Sequence, residues 1–164
     1  MPITRVDKDL DAHTMTVIAE YDAPVERVWQ LYADPRQLER FWGPPTWPAT
    51  VVDHDLRPGG RVSYVMTGPE GEKSAGYWDV LEVDAPRRFV VNDGFADDSG
   101  QANPDLPTTR MELELAERAG GGTTMTVVST FTSTDAMKQM IEMGMEEGMR
   151  EAMGQIDGVL TDAA

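Results

Sequence analysis

The stretch from Thr134 to Ala163 holds no proline and repeats apolar residues at helical spacing. Projected at 3.6 residues per turn, Met137, Ile141, Met145, Met149, Ala152, Ile156, Val159 and Leu160 gather on one face. Glu146, Glu147, Arg150 and Asp157 gather on the other. Ser133 or Thr134 can cap the first turn, and Asp135 suits the positive end of the helix dipole. A long helix with one apolar face must bury it, so the rest of the chain has to supply a complementary surface. Two glycines, Gly144 and Gly148, sit one turn apart beside that face. Each costs about 0.5–1 kcal/mol against alanine, so each implies either a close backbone approach or open space in front of it.

The upstream segments supply strands. Residues 1–12 are polar and aperiodic and read as a loose lead-in to a single domain over 13–164. His13 to Tyr21 is rich in β-branched residues and predicts a strand. Pro24 suits a first helical turn, and Val25, Val28, Trp29 and Tyr32 follow at i, i+3, i+4 and i+7. Asp34-Pro35 ends that helix, and a second short one carries Leu38, Phe41 and Trp42. The loop Gly43-Pro44-Pro45-Thr46-Trp47-Pro48 cannot be regular structure.

Six further strands are expected: Thr50–Leu56, Arg61–Met66, Ala75–Val83, Phe89–Asp93, one around Met111, Leu113 and Leu115, and Met125–Phe131. Turn residues such as Pro58-Gly59-Gly60 and Gly120-Gly121-Gly122 separate most of them, so neighbours run antiparallel. The longest irregular loop spans Asp97 to Pro107. The order is strand, two short helices, six strands, long helix: one α+β domain with a seven-stranded antiparallel sheet.

Several function classes drop out on composition. A net charge of −15 at pH 7 repels phosphate, so nucleic acid is not an expected partner. No run approaches the ~18 apolar residues of a membrane span, and the N-terminus lacks a signal-peptide pattern. With no cysteine and two histidines, thiolate chemistry is excluded and neither a metal nor another cofactor is expected. A cytoplasmic location fits.

Four segments together carry a likeness: Phe41-Trp42-Gly43-Pro44; Asp55-Leu56-Arg57-Pro58-Gly59-Gly60-Arg61; Val80 to Arg88; and Gly148-Met149 with Gln155-Ile156-Asp157 and Leu160. From about Val17 to Leu160 the chain resembles the bacterial family named after the activator of the heat-shock protein ATPase. That family lies in the SRPBCC, or START-like, superfamily with the birch-pollen allergens and polyketide cyclases. The resemblance implies the helix-grip fold: a curved seven-stranded sheet around the C-terminal helix, with an apolar cavity between them. It implies no catalytic residue that transfers position by position. The named activator carries an extra chaperone-binding domain for which this chain has no room, so tight chaperone binding is not expected.

Candidate site residues follow from strand alternation and helix phase. Tyr64 and Met66 share a sheet face, as do Gly76 and Trp78, and as do Met125, Val127 and Phe131. Met111 belongs to the same surface, opposite Met145, Gly148, Met149 and Ala152 of the helix. Six of the eleven methionines fall in that helix, and methionine lines adaptable binding surfaces as readily as it fills cores. Trp42 and Trp47 flank the proline-rich loop, as a staple on the core or as a pocket rim. Asp93 and Phe95 can form the opposite lip. Asp93 matters most, because a carboxylate buried beside a cavity must find a donor or have its pKa raised.

Asp53-His54-Asp55 is not a catalytic cluster, since strand neighbours point to opposite faces. Gly59-Gly60 is a strand turn without the helix and lysine of a phosphate loop. The leading expectation is a monomer or homodimer that binds an apolar or aromatic small molecule. A co-chaperone-like interaction module and a cyclase- or hydrolase-like enzyme using Asp93 or His54 are the rivals.

Overall fold

The computed structural model describes residues 3–97 and 99–162. The first two residues of the expected lead-in, Asp98 of the long loop, the last residue of the expected helix, Ala163, and the final Ala164 lie outside the described residues.

Eight strands form one sheet: β1 Ile3–Asp9, β2 Thr14–Tyr21, β3 Ala49–His54, β4 Arg61–Thr67, β5 Lys73–Asp84, β6 Arg88–Ala96, β7 Thr109–Glu117 and β8 Thr123–Phe131. Their spatial order is β1-β2-β8-β7-β6-β5-β4-β3, and every neighbouring pair is antiparallel. The hairpin turns the sequence announces account for β3 through β8. The pairing of β2 with β8 joins the two ends of the domain.

The eighth strand corrects the expectation of seven and of an unstructured lead-in. Ile3–Asp9 pairs along β2 as an edge strand. Its inward residues, Ile3 and Val6, are spaced by three because the register shifts between Ile3 and Arg5. A bulge of this kind inserts one residue and hides the period-two signal that identifies a strand. The other five residues are exposed, so the segment reads as polar and aperiodic.

Two helices, α1 Val25–Ala33 and α2 Pro35–Phe41, lie between β2 and β3. Val25, Val28, Trp29 and Tyr32 are buried from α1, on the face their spacing defines. Asp34 separates the helices, and its Oδ1 accepts the Arg36 N–H at 2.9 Å while Pro35 occupies the first turn of α2.

The long C-terminal helix is present but broken into α3 Thr134–Glu142, α4 Met145–Met153 and α5 Ile156–Asp162. Ser133 caps α3, its hydroxyl accepting the Ala136 N–H at 3.0 Å. Gly144 then adopts φ +89°, a left-handed conformation that ends α3 and re-aims the chain into α4. A second break falls at Gly154-Gln155. There Gln155 Nε2 donates to the Gly43 carbonyl at 2.7 Å, fastening the helical stretch to the loop after α2. Arg27 of α1 donates to the Val159 carbonyl at 3.2 Å, which fixes α5. At the other end Thr134 Oγ1 donates to the Leu10 carbonyl at 2.7 Å, so both ends of the stretch are held and α4 lies between them.

The core has an aromatic centre. Trp78 and Phe89 stack with ring centroids 5.6 Å apart, and Trp42 meets Trp78 edge-on at 4.8 Å. Tyr32 meets Phe41 and Phe89 at 5.2 and 5.6 Å. Such pairs add about 0.5–1.5 kcal/mol each beyond area burial and make this end of the domain solid.

Candidate functional site

Between α4 and the sheet the packing opens into a cavity of about 410 Å³. That is within the 300–1,000 Å³ common for small-molecule sites. Its floor comes from β4 to β8, its roof from methionines of α3 and α4, and its mouth from Trp42, Pro44 and Trp47. Strand alternation sends Tyr64, Met66, Asp93, Phe95 and Met111 to the same concave face. The left-handed Gly144 places Met145, Gly148, Met149 and Ala152 over them. A Cβ added to Gly148 would meet nothing within 4 Å, so the glycine leaves space and does not accommodate a close approach.

One polar pair interrupts the apolar wall. Tyr64 on β4 reaches across β5 to β6, where its hydroxyl donates to Asp93 Oδ1 at 2.9 Å. The reach depends on Gly76, the cross-strand partner of Tyr64. A Cβ there would stand 2.5 Å from the Tyr64 ring, so only glycine lets the ring lie flat over β5.

Burial raises the Asp93 carboxyl to about 7, against a smaller opposing effect of the Tyr64 hydrogen bond, which favours the ionised form. The residue is closed in by protein but keeps part of its surface open to the cavity. Burial likewise pushes Tyr64 well above the usual phenol range, and the nearby Asp93 charge adds to it. The Trp42 indole acts the other way on Tyr64, although its buried N–H makes no hydrogen bond of good geometry. Thr109 and Ser129, both buried, and Ser74 at the rim add hydroxyls. Among the described residues no lysine, arginine or histidine lines the cavity.

Eleven of the fourteen residues expected at the site line this cavity: Trp42, Trp47, Tyr64, Met66, Asp93, Phe95, Met111, Met145, Gly148, Met149 and Ala152. Trp78, Met125 and Phe131 do not. Trp78 is covered by Phe89 and Trp42, and Met125 lies under α1, where its sulfur accepts the Tyr32 hydroxyl at 3.4 Å. Phe131 closes the end of β8 and is 2% exposed. Alternation fixes which face of the sheet a residue takes. What stands opposite it, helix or void, depends on tertiary packing.

Asp93 lies within β6 as expected, and β6 runs on to Ala96, so Phe95 is also a strand residue beyond the expected end at Asp93. Sequence reasoning missed Tyr32, Phe41 and Leu113, which read as plain core, and Met140, Met143 and Met153, which share the methionine bias of the helix. Thr109 was legible as two residues from Met111 on the same face.

The other titratable clusters form no site. His54 Nε2 donates to the Tyr32 carbonyl oxygen at 2.8 Å, and Asp53 accepts the Ser63 hydroxyl at 2.9 Å. Asp55 pairs with Arg57 at 2.8 Å. Among the described residues no group of three histidine or acidic side chains could hold a metal. Among the described residues no helix is long and apolar enough to cross a membrane.

Comparison with known proteins agrees with this fold. Residues 22–161 match the family model described as activator of Hsp90 ATPase homolog 1-like protein. The crystal structure of protein Ms6760 from Mycobacterium smegmatis is 54% identical, with a TM-score of 0.90 and coverage of 99% of both chains. The solution structure of a protein from Arthrobacter aurescens is 49% identical, covering 98% of this chain and 92% of that one with a TM-score of 0.91. A Staphylococcus epidermidis protein is 28% identical with a TM-score of 0.84, covering 96% and 94% of the two chains. A comparison with curated protein sequences returned no match. Shared sequence across nearly the full length, with one sheet-and-helix architecture, places this chain in the family of activator of Hsp90 ATPase homolog 1-like proteins.

Proposed function

We propose that this protein binds an apolar or aromatic small molecule in the cavity between its sheet and α4. One observation carries the reading. A glycine, Gly148, with open space before its Cβ direction and a run of adaptable methionines stand over the cavity. An empty cavity of this size is costly, since lost contacts destabilise by about 24 cal/mol per Å³. A ligand that fills it returns those contacts. Native mass spectrometry of the protein purified from its own host, with denaturing release of any retained mass, tests the reading. A retained small molecule is the expected result. No retained mass, together with no binding of a fluorescent apolar probe, would overturn it.

A second reading has one observation in its favour. A carboxyl held near neutrality inside a cavity can act as general acid or base. If an activity is found, its pH profile should turn near the Asp93 value and Asp93→Asn should abolish it.

A further inference from the structure

We infer that the natural ligand is a hydrophobic amine, bound as the cation with its ammonium group on Asp93 and its body among the cavity's aromatic and methionine side chains. The inference rests on the cavity being a binding site and names the chemistry of its occupant.

Three features select that class. Asp93 is the sole acidic side chain lining the cavity among the described residues, and no basic group lines it. Tyr64 occupies Oδ1, and among the described residues no side chain or backbone group donates to Oδ2. A carboxylate with a free oxygen against a mostly apolar wall calls for a charge-assisted donor, and an ammonium supplies one. The rings of Trp42, Trp47, Tyr64 and Phe95 line the same space, and an aromatic wall favours a cation over a neutral group wherever a ring turns its face to it. The same wall disfavours a fatty acid or other anion, which would meet no positive charge and one negative one.

Tyr64 is more than a wall residue here. Its hydroxyl holds the carboxylate in place, so the cation meets a fixed partner. Among the described residues the only other titratable side chain lining the cavity is Tyr32, a buried phenol whose hydroxyl donates to the Met125 sulfur. The register partners of Asp93 are Trp78 on β5 and Thr109 on β7, and its own strand neighbours are Asn92 and Gly94. Across the cavity α4 presents Met145, Gly148 and Met149, while its charged Glu146 is engaged with Lys8 and Arg150. Amine binding should therefore follow the ionisation of Asp93 alone, strengthening as pH rises through neutrality.

The test compares three probes of one shape by calorimetry: 2-(1-naphthyl)ethylamine, 2-(1-naphthyl)ethanol and 1-naphthylacetate. At about pH 8 the amine should bind at least about tenfold tighter than the alcohol, and the acid should be weakest. At about pH 5.5, with Asp93 protonated, the advantage of the amine should shrink towards none. Asp93→Asn should bind amine and alcohol alike at both values. Equal binding of amine and alcohol by the wild-type protein at the higher pH would overturn the amine assignment while leaving the cavity as a binding site. So would tightest binding of the acid, or an amine advantage that survives in Asp93→Asn. If none of the three binds, the cavity reading and the amine assignment fall together. The wild-type comparison across pH needs no variant, so a misfolded Asp93→Asn would not protect the inference.

Discussion

Gly148→Leu is the substitution in which the cavity and a solid core predict opposite signs. Gly148 lies inside α4, where replacing glycine with a good helix former recovers about 0.5–1 kcal/mol. Its Cβ direction is open to at least 4 Å, so the new side chain enters the void without displacing a neighbour. Full burial of a leucine stabilises by about 1.5–3 kcal/mol, and the half-buried setting of Gly148 justifies less than half of that. The sum is about 1–2 kcal/mol of added stability. With a urea slope near 2 kcal/mol per molar, the midpoint should rise by about 0.5–1 M. A fluorescent apolar probe should lose its binding at the same time, because the leucine occupies its space. Gly158→Leu is the matched control: it is exposed on α5 with an equally open Cβ direction, so it gains propensity alone and should leave probe binding intact. A midpoint that falls in Gly148→Leu by the equivalent of about 1–3 kcal/mol would mean overpacking. The reasoning from open space to ligand space would then be refuted.

Two further predictions concern the polar pair. Gly76→Ala places a methyl group 2.5 Å from the Tyr64 ring and should destabilise by about 1–3 kcal/mol while detaching the Tyr64 hydroxyl from Asp93. Carbon-detected NMR titration should then show the Asp93 carboxyl moving further up, since the lost hydrogen bond favoured the ionised form; a downward move would contradict the geometry. The second follows from linkage. Asp93 is raised from 3.8 to about 7 on folding, so between those values the folded state binds the extra proton, and the residue's contribution to stability falls as pH rises through that window. The dry limit is about 4 kcal/mol at 1.36 kcal/mol per unit, and about 2 kcal/mol is expected because the cavity admits solvent. Asp93→Asn should therefore match the wild-type protein near pH 4 and exceed it above pH 7 by that amount in urea melts, and a gap independent of pH would show that Asp93 is not held protonated.

Much of the fold was legible because it follows from short-range periodicity. Alternation at Met111, Leu113 and Leu115, the helical spacing of Val25, Val28, Trp29 and Tyr32, and the glycine turns each mark an element on their own. Asp34-Pro35 marks the α1–α2 boundary just as locally. The edge strand β1 escaped because its bulge and exposed side chains erase the periodic signal, and its existence depends on the open edge of β2. The helix breaks were half legible. Gly144 was visible as a costly residue, but its left-handed conformation is fixed only by the path α3 and α4 must follow over the sheet.

The site divides along the same line. Sequence alone determined which residues share a face of the sheet, because side-chain direction in a strand repeats every two residues whatever lies opposite. It determined the acidic surface, the absence of thiol chemistry and the isolation of His54 from a catalytic partner. Only the tertiary structure decided that Trp78, Met125 and Phe131 are packed while Met66, Phe95 and Met111 line space. Only it joined Tyr64 to Asp93, two residues 29 apart in the chain that meet because Gly76 clears the strand between them. Which face a side chain takes is a property of its own segment; whether that face meets a neighbour or a void depends on how far α4 stands from the sheet, a distance set by contacts remote in sequence.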